Sequence, residues 1–128
     1  MTILVTGANG MLARDVKSTA PADAEMILTD VDELDITNAS EVLSFCGGTG
    51  PDAILNCAAY TAVDAAETDA EAAYAVNESG PRNLAAAAAA CGCPLVHVST
   101  DFVFSGDGSH PLTEDDPCDP HGVYARSK

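Results

Sequence analysis

The chain has 128 residues, and 47% of them are hydrophobic, which suits one compact domain with its own core rather than a disordered or fibrous chain. Its 20 Asp and Glu residues against 5 Lys and Arg give a formal net charge of −15, which would repel nucleic acid phosphates and anionic membrane surfaces. We therefore expect no nucleic acid partner and no membrane partner. The acidity reflects either adaptation to high salt or a solvated surface, and it indicates no particular reaction.

The first half of the chain alternates short apolar runs with helical patterns. Thr2 to Thr6 is an apolar, β-branched run that predicts a strand, and Gly10 then opens a helical pattern. The other elements predicted here are strands at Met26 to Thr29 and Ala53 to Cys57, and between them a helix at Ala39 to Phe45 with Asn38 as its cap.

The second half continues the alternation and then loses it. Asp69 to Cys91 is rich in Ala, Glu and Leu, which predicts a long helix that Gly80-Pro81 bends or divides. Leu95 to Ser99 supplies a fourth strand, so the whole pattern predicts a doubly wound parallel α/β sheet covered on both faces. Phe102 to Val123 is a long loop beyond the carboxyl end of a strand, where ligands bind in such sheets.

Neither a membrane span nor a metal site is predicted. No stretch approaches the roughly 20 uninterrupted apolar residues that a bilayer span requires, so we expect a soluble, cytoplasmic protein. The five cysteines contain no Cys-x-x-Cys pair and are expected to be reduced thiols. The three histidines have no metal-ligand spacing, and His97 alternates within a strand, so it is interpreted as a core or edge histidine.

A glycine-rich turn joins the first strand to the first helix, and its sequence runs Gly7-Ala8-Asn9-Gly10-Met11-Leu12-Ala13. A dinucleotide pyrophosphate at this place would meet free backbone N–H groups and the positive end of the helix. Asp30 ends the second strand 20 residues after Gly10, where an acidic residue hydrogen-bonds the adenosine ribose. The alternatives are a tight βα turn without a ligand and an Asp30 that only caps a loop; the two features together favour a cofactor site.

Tyr124 and Lys128 form a second pattern, Tyr-x-x-x-Lys, at the end of the chain. Residues four apart share one face of a helix, so the phenol and the ammonium project together. A nearby ammonium lowers the pKa of a phenol, which makes it a usable proton donor or acceptor. Alone, the pattern is usually a solvated helix face; together with the glycine turn it becomes specific.

These segments resemble the extended short-chain dehydrogenases and, within them, the dTDP-4-dehydrorhamnose reductase family. The resemblance covers the whole chain as an NAD(P)-binding Rossmann domain over residues 1–128. Besides the two patterns above, the segments that carry it are Glu33 to Thr37, Asn56 to Asp64, Asn77 with Gly80, and Ser99-Thr100-Asp101.

The resemblance assigns roles that the residue patterns alone do not. It implies that Asp35 and Ile36 lie by the adenine and that Lys128 holds the nicotinamide ribose. The nicotinamide side would be lined by Ala59, Tyr60, Thr61 and Val98. Thr100 would hydrogen-bond the 4-keto oxygen of a dTDP-sugar substrate, Tyr124 would donate the proton, and Asp101 would lie close to the sugar. Asn77 would orient a water or a backbone group behind Lys128. Phe102 stands where the family often has tyrosine, which puts the substrate in doubt more than the reaction.

The cofactor is expected to be NADH or NADPH. Asp30-Val31-Asp32 offers no cation for a 2′-phosphate, which favours NADH, although Arg14 near the glycine turn is an alternative phosphate contact. Two rival functions remain: another sugar-nucleotide reductase or epimerase of the superfamily, and a binding-only protein such as the regulatory subunit of methionine adenosyltransferase. The chain is expected to be part of a protein about twice as long or half of a two-chain enzyme, inactive alone, and a homodimer of the full-length protein stays open.

Overall fold

A computed structural model of the chain describes residues 1–106, 108 and 110–128. Two residues of the predicted long loop, Asp107 and Ser109, lie outside the described residues. Strands are β1 (Thr2–Thr6), β2 (Glu25–Thr29), β3 (Ala53–Asn56) and β4 (Leu95–His97). Helices are α1 (Met11–Thr19), α2 (Ala39–Thr49), α3 (Val63–Ala66), α4 (Ala70–Tyr74), α5 (Gly80–Cys91) and α6 (Gly122–Ser127), with a π-helical segment (Ala75–Ser79) and a 3-10 turn (Asp101–Val103).

The described strands form one parallel sheet in the order β2-β1-β3-β4. Thr6 at the end of β1 lies opposite both Thr29 and Asn56, so three strands end at the same level. The predicted parallel α/β sheet is therefore confirmed. Because every βα connection leaves from these carboxyl ends, the glycine turn, Asp30 and the segment after β3 lie at one edge of the sheet.

The core lies between one face of the sheet and the helices α2 and α5. Leu4 and Ile54 are neighbours in adjacent strands and are fully buried against Val42 of α2 and Leu84 of α5. On the opposite face, by strand alternation, Val5 is fully buried but Val96 in β4 is 57% exposed. Burial on that second face therefore decreases from the centre of the sheet toward β4.

The long helix predicted from Asp69 to Cys91 is divided into α4, the π-helical segment and α5. The irregularity falls just before Gly80-Pro81, where the proline ring would clash with a carbonyl in a continuous α-helix. A Cβ on Gly80 would lie 2.5 Å from Cδ1 of Ile36, so glycine lets α5 approach the segment after β2. The predicted division is confirmed.

Other boundaries differ from the prediction by a few residues. The fourth strand ends at His97 rather than Ser99, because its partner β3 ends at Asn56, which lies opposite His97. The short helix α3 was not predicted, and α6 begins at Gly122, inside the region predicted as loop. The predicted cap of α2 is confirmed, since Oδ1 of Asn38 accepts from the backbone N–H of Glu41.

Candidate cofactor and catalytic site

The glycine turn packs directly against the segment that follows β3. Gly7 has φ +68°, and a Cβ at this position would lie 2.6 Å from both N and Cα of Ala58. The turn is fixed by two backbone hydrogen bonds, from Ala8 N to the carbonyl of Thr29 and from Gly10 N to the carbonyl of Gly7. Glycine is therefore required at residue 7 for both its conformation and its close approach.

Helix α1 begins at this turn with its first N–H groups available. Gly10 is the cap residue and has no side chain to satisfy them. Met11 is 84% exposed and Leu12 is 44% exposed, so these two residues would meet a ligand through their backbone at the surface. Ala13 stands where a third glycine is common and is only 2% exposed. The N-terminal end of α1 thus has the form of an anion-binding site.

Asp30 joins the glycine turn to the end of β2. Its Oδ2 accepts from the backbone N–H of Asn9 at 2.8 Å, and its Oδ1 accepts from that of Val31 at 2.9 Å. The carboxylate therefore orders the turn itself. This geometry is compatible with both roles considered for Asp30, capping of a loop and binding of a ribose. An ionised carboxylate that accepts these two bonds has further lone pairs for a ribose hydroxyl.

A cavity of about 380 Å³ lies along this edge of the sheet. It brings together seven of the residues predicted to bind a cofactor. Seven others lie outside its lining, namely Met11, Leu12, Tyr60, Thr61, Val98, Tyr124 and Lys128. The lining residues are Gly7, Asn9, Gly10, Asp30, Val31, Leu34, Asp35, Ile36, Thr37, Cys57, Ala58, Ala59 and Val76.

Asp35 and Ile36 shape one wall of this cavity. Oδ1 of Asp35 accepts from both the N–H and the hydroxyl of Thr37, at 2.9 and 2.7 Å, which makes a tight turn. The Ile36 side chain is only 6% exposed and belongs to the core. Asn83 on α5 donates to the carbonyls of Ile36 and Thr37 and fixes this wall from behind.

The predicted catalytic residues lie around the 3-10 turn and α6. Thr100 caps the turn: its hydroxyl oxygen accepts from Phe102 N and donates to Oδ1 of Asp101, both at 3.3 Å. The Phe102 ring packs edge-on against the Tyr124 ring, with centroids 6.0 Å apart and an interplanar angle of 87°. This contact links the Thr100 turn to the helix that carries Tyr124.

Lys128 directly follows α6 and reaches back to the sheet. Its Nζ donates to the carbonyl of Val98 at 2.7 Å, and this contact brings Val98 into the site. Partial burial lowers the pKa of the Lys128 ammonium from its ordinary value. The structure therefore brings Lys128 and Thr100 to the same end of β4.

Asn77 in the π-helical segment connects two parts of the site. Its Oδ1 accepts from Tyr60 N at 2.8 Å, and its Nδ2 donates to the Tyr60 carbonyl and to the Ser127 hydroxyl, both at 3.0 Å. Ser127 in turn donates to the carbonyl of Tyr124. The group that Asn77 orients is thus a backbone segment, Tyr60, together with the end of α6.

His97 takes part in a buried polar chain that sequence reasoning missed. Oδ1 of Asn56 accepts from Thr6 Oγ1 and from Ala58 N, so its Nδ2 faces Nδ1 of His97 at 3.0 Å. Burial, followed by the charge of Lys128, lowers the pKa of His97. Its position in a strand was predicted, but its partner lies 41 residues away and no local pattern identifies it.

A second cavity, of about 340 Å³, lies beside the 3-10 turn. It shows where the long loop predicted to be functional meets the predicted substrate residue Asp101. Sequence reasoning did not identify its apolar wall or His121. Its lining residues are Asp101, Phe102, Phe104, Ser105, Gly106, Leu112 and His121.

Within residues 1–106, 108 and 110–128, no helix has the length and apolar character needed to cross a membrane. Over the same described residues, no cluster of three or more His, Cys, Asp or Glu side chains is arranged to hold a metal ion.

The chain is similar to known reductases over its whole length. It is 43% identical to the dTDP-4-dehydrorhamnose reductase of Sinorhizobium fredii over 128 residues, which cover 100% of this chain and 43% of that protein. A solved dTDP-4-dehydrorhamnose reductase from Clostridium acetobutylicum matches 99% of this chain and 46% of its own, with TM-score 0.96 and 45% identity. The enzyme from Bacillus anthracis, solved with NADP, matches 98% of this chain and 45% of its own, with TM-score 0.95 and 37% identity.

The chain therefore spans less than half the length of the relatives that it matches. The sequence model of one family, described as the RmlD substrate binding domain, matches residues 1–128. On this match and these likenesses, the chain belongs to the RmlD substrate binding domain family.

Proposed function

We propose that this chain forms the cofactor-binding and catalytic part of an NAD(P)H-dependent dTDP-4-dehydrorhamnose reductase. The reaction is reduction of the 4-keto group of dTDP-4-dehydro-L-rhamnose to dTDP-L-rhamnose, a step of nucleotide-sugar and cell-surface polysaccharide biosynthesis. One observation carries the proposal: the Phe102–Tyr124 contact and the Lys128–Val98 bond bring the Tyr-x-x-x-Lys helix to the Thr100 turn. The likeness to reductases of this name supports it.

The residues at the glycine turn fit a nicotinamide dinucleotide. Gly7 is held where a Cβ cannot fit, and Gly10, the cap residue of α1, lines the cavity. Gly7, Asn9, Gly10, Met11 and Leu12 would hold the pyrophosphate through their backbone. Asp30 would bind the ribose, Asp35 and Ile36 the adenine, and Ala59, Tyr60, Thr61, Val98 and Lys128 the nicotinamide end.

The protein groups act on the oxygen of the keto sugar. The bound cofactor supplies the hydride. Thr100 donates a hydrogen bond to the keto oxygen, and Tyr124 donates to the same oxygen and transfers its proton as negative charge develops there. Lys128, one helical turn after Tyr124, would hold the nicotinamide ribose from its position against the carbonyl of Val98. Asp101, exposed next to Thr100, would contact the sugar.

Two rival functions make different demands on these residues. A binding-only protein such as the regulatory subunit of methionine adenosyltransferase needs the glycine turn. It does not need the helix of Tyr124 to pack against the turn that begins at Thr100. Another sugar-nucleotide reductase or epimerase would use the same residues and differ in the substrate region. We further propose that this reaction takes place in the cytoplasm and that the full-length protein forms a homodimer.

The deciding experiment is an assay of the full-length gene product with dTDP-4-dehydro-L-rhamnose and either NADH or NADPH. Cofactor oxidation is followed spectroscopically, with the reduced sugar dTDP-L-rhamnose as the blank. We expect oxidation that depends on the keto sugar. Tight cofactor binding without oxidation would contradict the reductase and favour the binding-only protein, whereas oxidation only with a different keto sugar would favour the second rival.

A further inference from the structure

Helix α6 carries Tyr124 but contains no cap of its own. The helix has six residues, and His121, which precedes it, makes no side-chain hydrogen bond to its first turn. That turn also has no acidic residue. The first N–H groups of any helix lack partners within the helix, so their partners must come from elsewhere.

Glu67 supplies the missing partner from a distant segment. It directly follows α3, and its Oε1 accepts from the backbone N–H of Val123 at 2.7 Å. Val123 is the second residue of α6, the position that a capping side chain ordinarily satisfies. The residue after it is Tyr124, so the contact lies one residue from the proposed proton donor.

Gly122 is shaped to receive this carboxylate. It has φ +81°, and a Cβ on it would lie 2.8 Å from Oε1 of Glu67. Any other residue type would both strain the backbone and push the carboxylate away from Val123. The glycine at the start of α6 is thus a second, independent observation that the helix is built around Glu67.

The other end of α6 is fixed separately. Nδ2 of Asn77 donates to the hydroxyl of Ser127, which is 2% exposed. With this end held, the contact at Val123 sets the direction of the helix axis. We propose that Glu67 is a positioning residue for the reaction: by capping α6 it fixes where the Tyr124 phenol and the Lys128 ammonium lie relative to Thr100. This inference rests on the function proposed above.

The chemistry of the contact predicts an order among variants. The Glu67 side chain is exposed, so solvent weakens its field and the hydrogen-bond geometry decides its effect. Glutamine keeps an oxygen acceptor at the same reach without the charge. Aspartate keeps the charge, but its shorter side chain does not reach Val123. If the geometry of the cap matters, Glu67→Gln should therefore have a higher kcat than Glu67→Asp. If the charge matters instead, Glu67→Asp should have the higher kcat.

The test measures kcat and cofactor affinity in the full-length gene product. We expect Glu67→Ala and Glu67→Asp to lower kcat by about tenfold or more, since a small misplacement of reacting groups is that costly. Glu67→Gln should retain kcat within about threefold, and cofactor affinity should change by no more than about twofold in all three. Glu71→Ala, which removes another exposed glutamate four residues away, is the matched control and should behave as the wild type.

Two outcomes would overturn the inference: an unchanged kcat in Glu67→Ala, or rescue by aspartate but not by glutamine. Hydrogen exchange at the Val123 amide separates this inference from the proposed function. Faster exchange in Glu67→Ala than in Glu71→Ala supports the cap. If the protein then reduces no keto sugar, only the proposed reductase function is contradicted. Equal exchange in both variants would contradict the cap, whatever the turnover.

Discussion

The two halves of the site are held together in different ways. The glycine turn is joined to the sheet mainly through its backbone: Ala8 N donates to the carbonyl of Thr29, Gly7 lies against Ala58, and Asn9 N donates to the Asp30 carboxylate. The region from Thr100 to Lys128 is joined to other segments by hydrogen bonds that involve side chains, from Glu67, Asn77 and Lys128. Phe102 within it is 50% exposed. Changes in the first region should therefore damage folding and cofactor binding, and changes in the second should damage turnover.

The largest effect is expected at Gly7. In Gly7→Ala, the new Cβ would lie 2.6 Å from backbone atoms of Ala58, and alanine would have to adopt φ +68°. The combined strain and overpacking should lower the free energy of unfolding by about 3 kcal/mol and abolish measurable cofactor binding. Urea denaturation and a cofactor titration measure the two effects.

Gly50→Ala is the control for this change. Gly50 also has a positive φ, of +57°, but no atom lies within 4 Å of the added Cβ. This alanine should lower the free energy of unfolding only through its unfavourable backbone conformation, by about 1 kcal/mol. Cofactor binding should be retained. If the two alanine variants were equally stable, the close approach of the glycine turn to Ala58 would not be a constraint on the fold.

The second prediction concerns Tyr124→Phe in the full-length gene product. The phenylalanine ring keeps the edge-on contact with Phe102, so the helix should keep its place. Loss of the proton donor should lower turnover by about 10²-fold or more, with cofactor affinity unchanged. Tyr74→Phe, outside the site, is the control. Near-normal turnover in Tyr124→Phe would remove this residue from its proposed role.

A smaller effect is expected on the choice between NADH and NADPH. Asp30 is an acidic group at the proposed ribose position, and it would repel a 2′-phosphate. In Asp30→Asn, the amide oxygen can still accept from Asn9 N, the bond from Val31 N is lost, and the charge is removed, so the ratio of NADPH to NADH affinity should rise by about tenfold. Asp32→Asn is the neighbouring control. Tighter NADPH binding by the wild type would contradict our reading of Asp30.

The sequence predicted the parts of the molecule that depend on local patterns. The strands, the glycine turn and the division near Gly80-Pro81 follow from short-range periodicity and from the special backbone of glycine and proline. The same holds for the helix at Tyr124, although its start was placed too late. The alternation of apolar strands with helices was enough to predict a parallel sheet, whereas the strand order β2-β1-β3-β4 was not predicted.

The missed features depend on pairs of residues far apart in the chain. Glu67 reaches Val123 across 56 residues, and Asn56 reaches His97 across 41. Within their own segments, Glu67, Asn56 and His97 look like ordinary polar residues. Their partners are defined only when the sheet and helices are assembled. The short helix α3 was missed for a related reason, since four residues are too few for a periodic pattern.

The last prediction uses His97, which links the two halves of the site. Oδ1 of Asn56 is fixed by the N–H of Ala58, so the amide must donate to Nδ1 of His97, and the imidazole must be neutral with its proton on Nε2. Protonation of Nδ1 would place two donors face to face. The ammonium of Lys128 also opposes a second positive charge here, in addition to the larger effect of burial.

Because the pKa of His97 is lowered in the folded protein, the unfolded chain binds this proton more readily. The contribution of His97 to stability is therefore full above its ordinary value of about 6.5 and is lost as the pH falls from there toward the folded pKa. The urea midpoint should decrease between pH 8 and pH 5.5 in the wild type and decrease less in His97→Gln, whose amide oxygen accepts from Asn56 without titrating. The same pH dependence in His97→Gln as in the wild type would show that this histidine is not the titrating group.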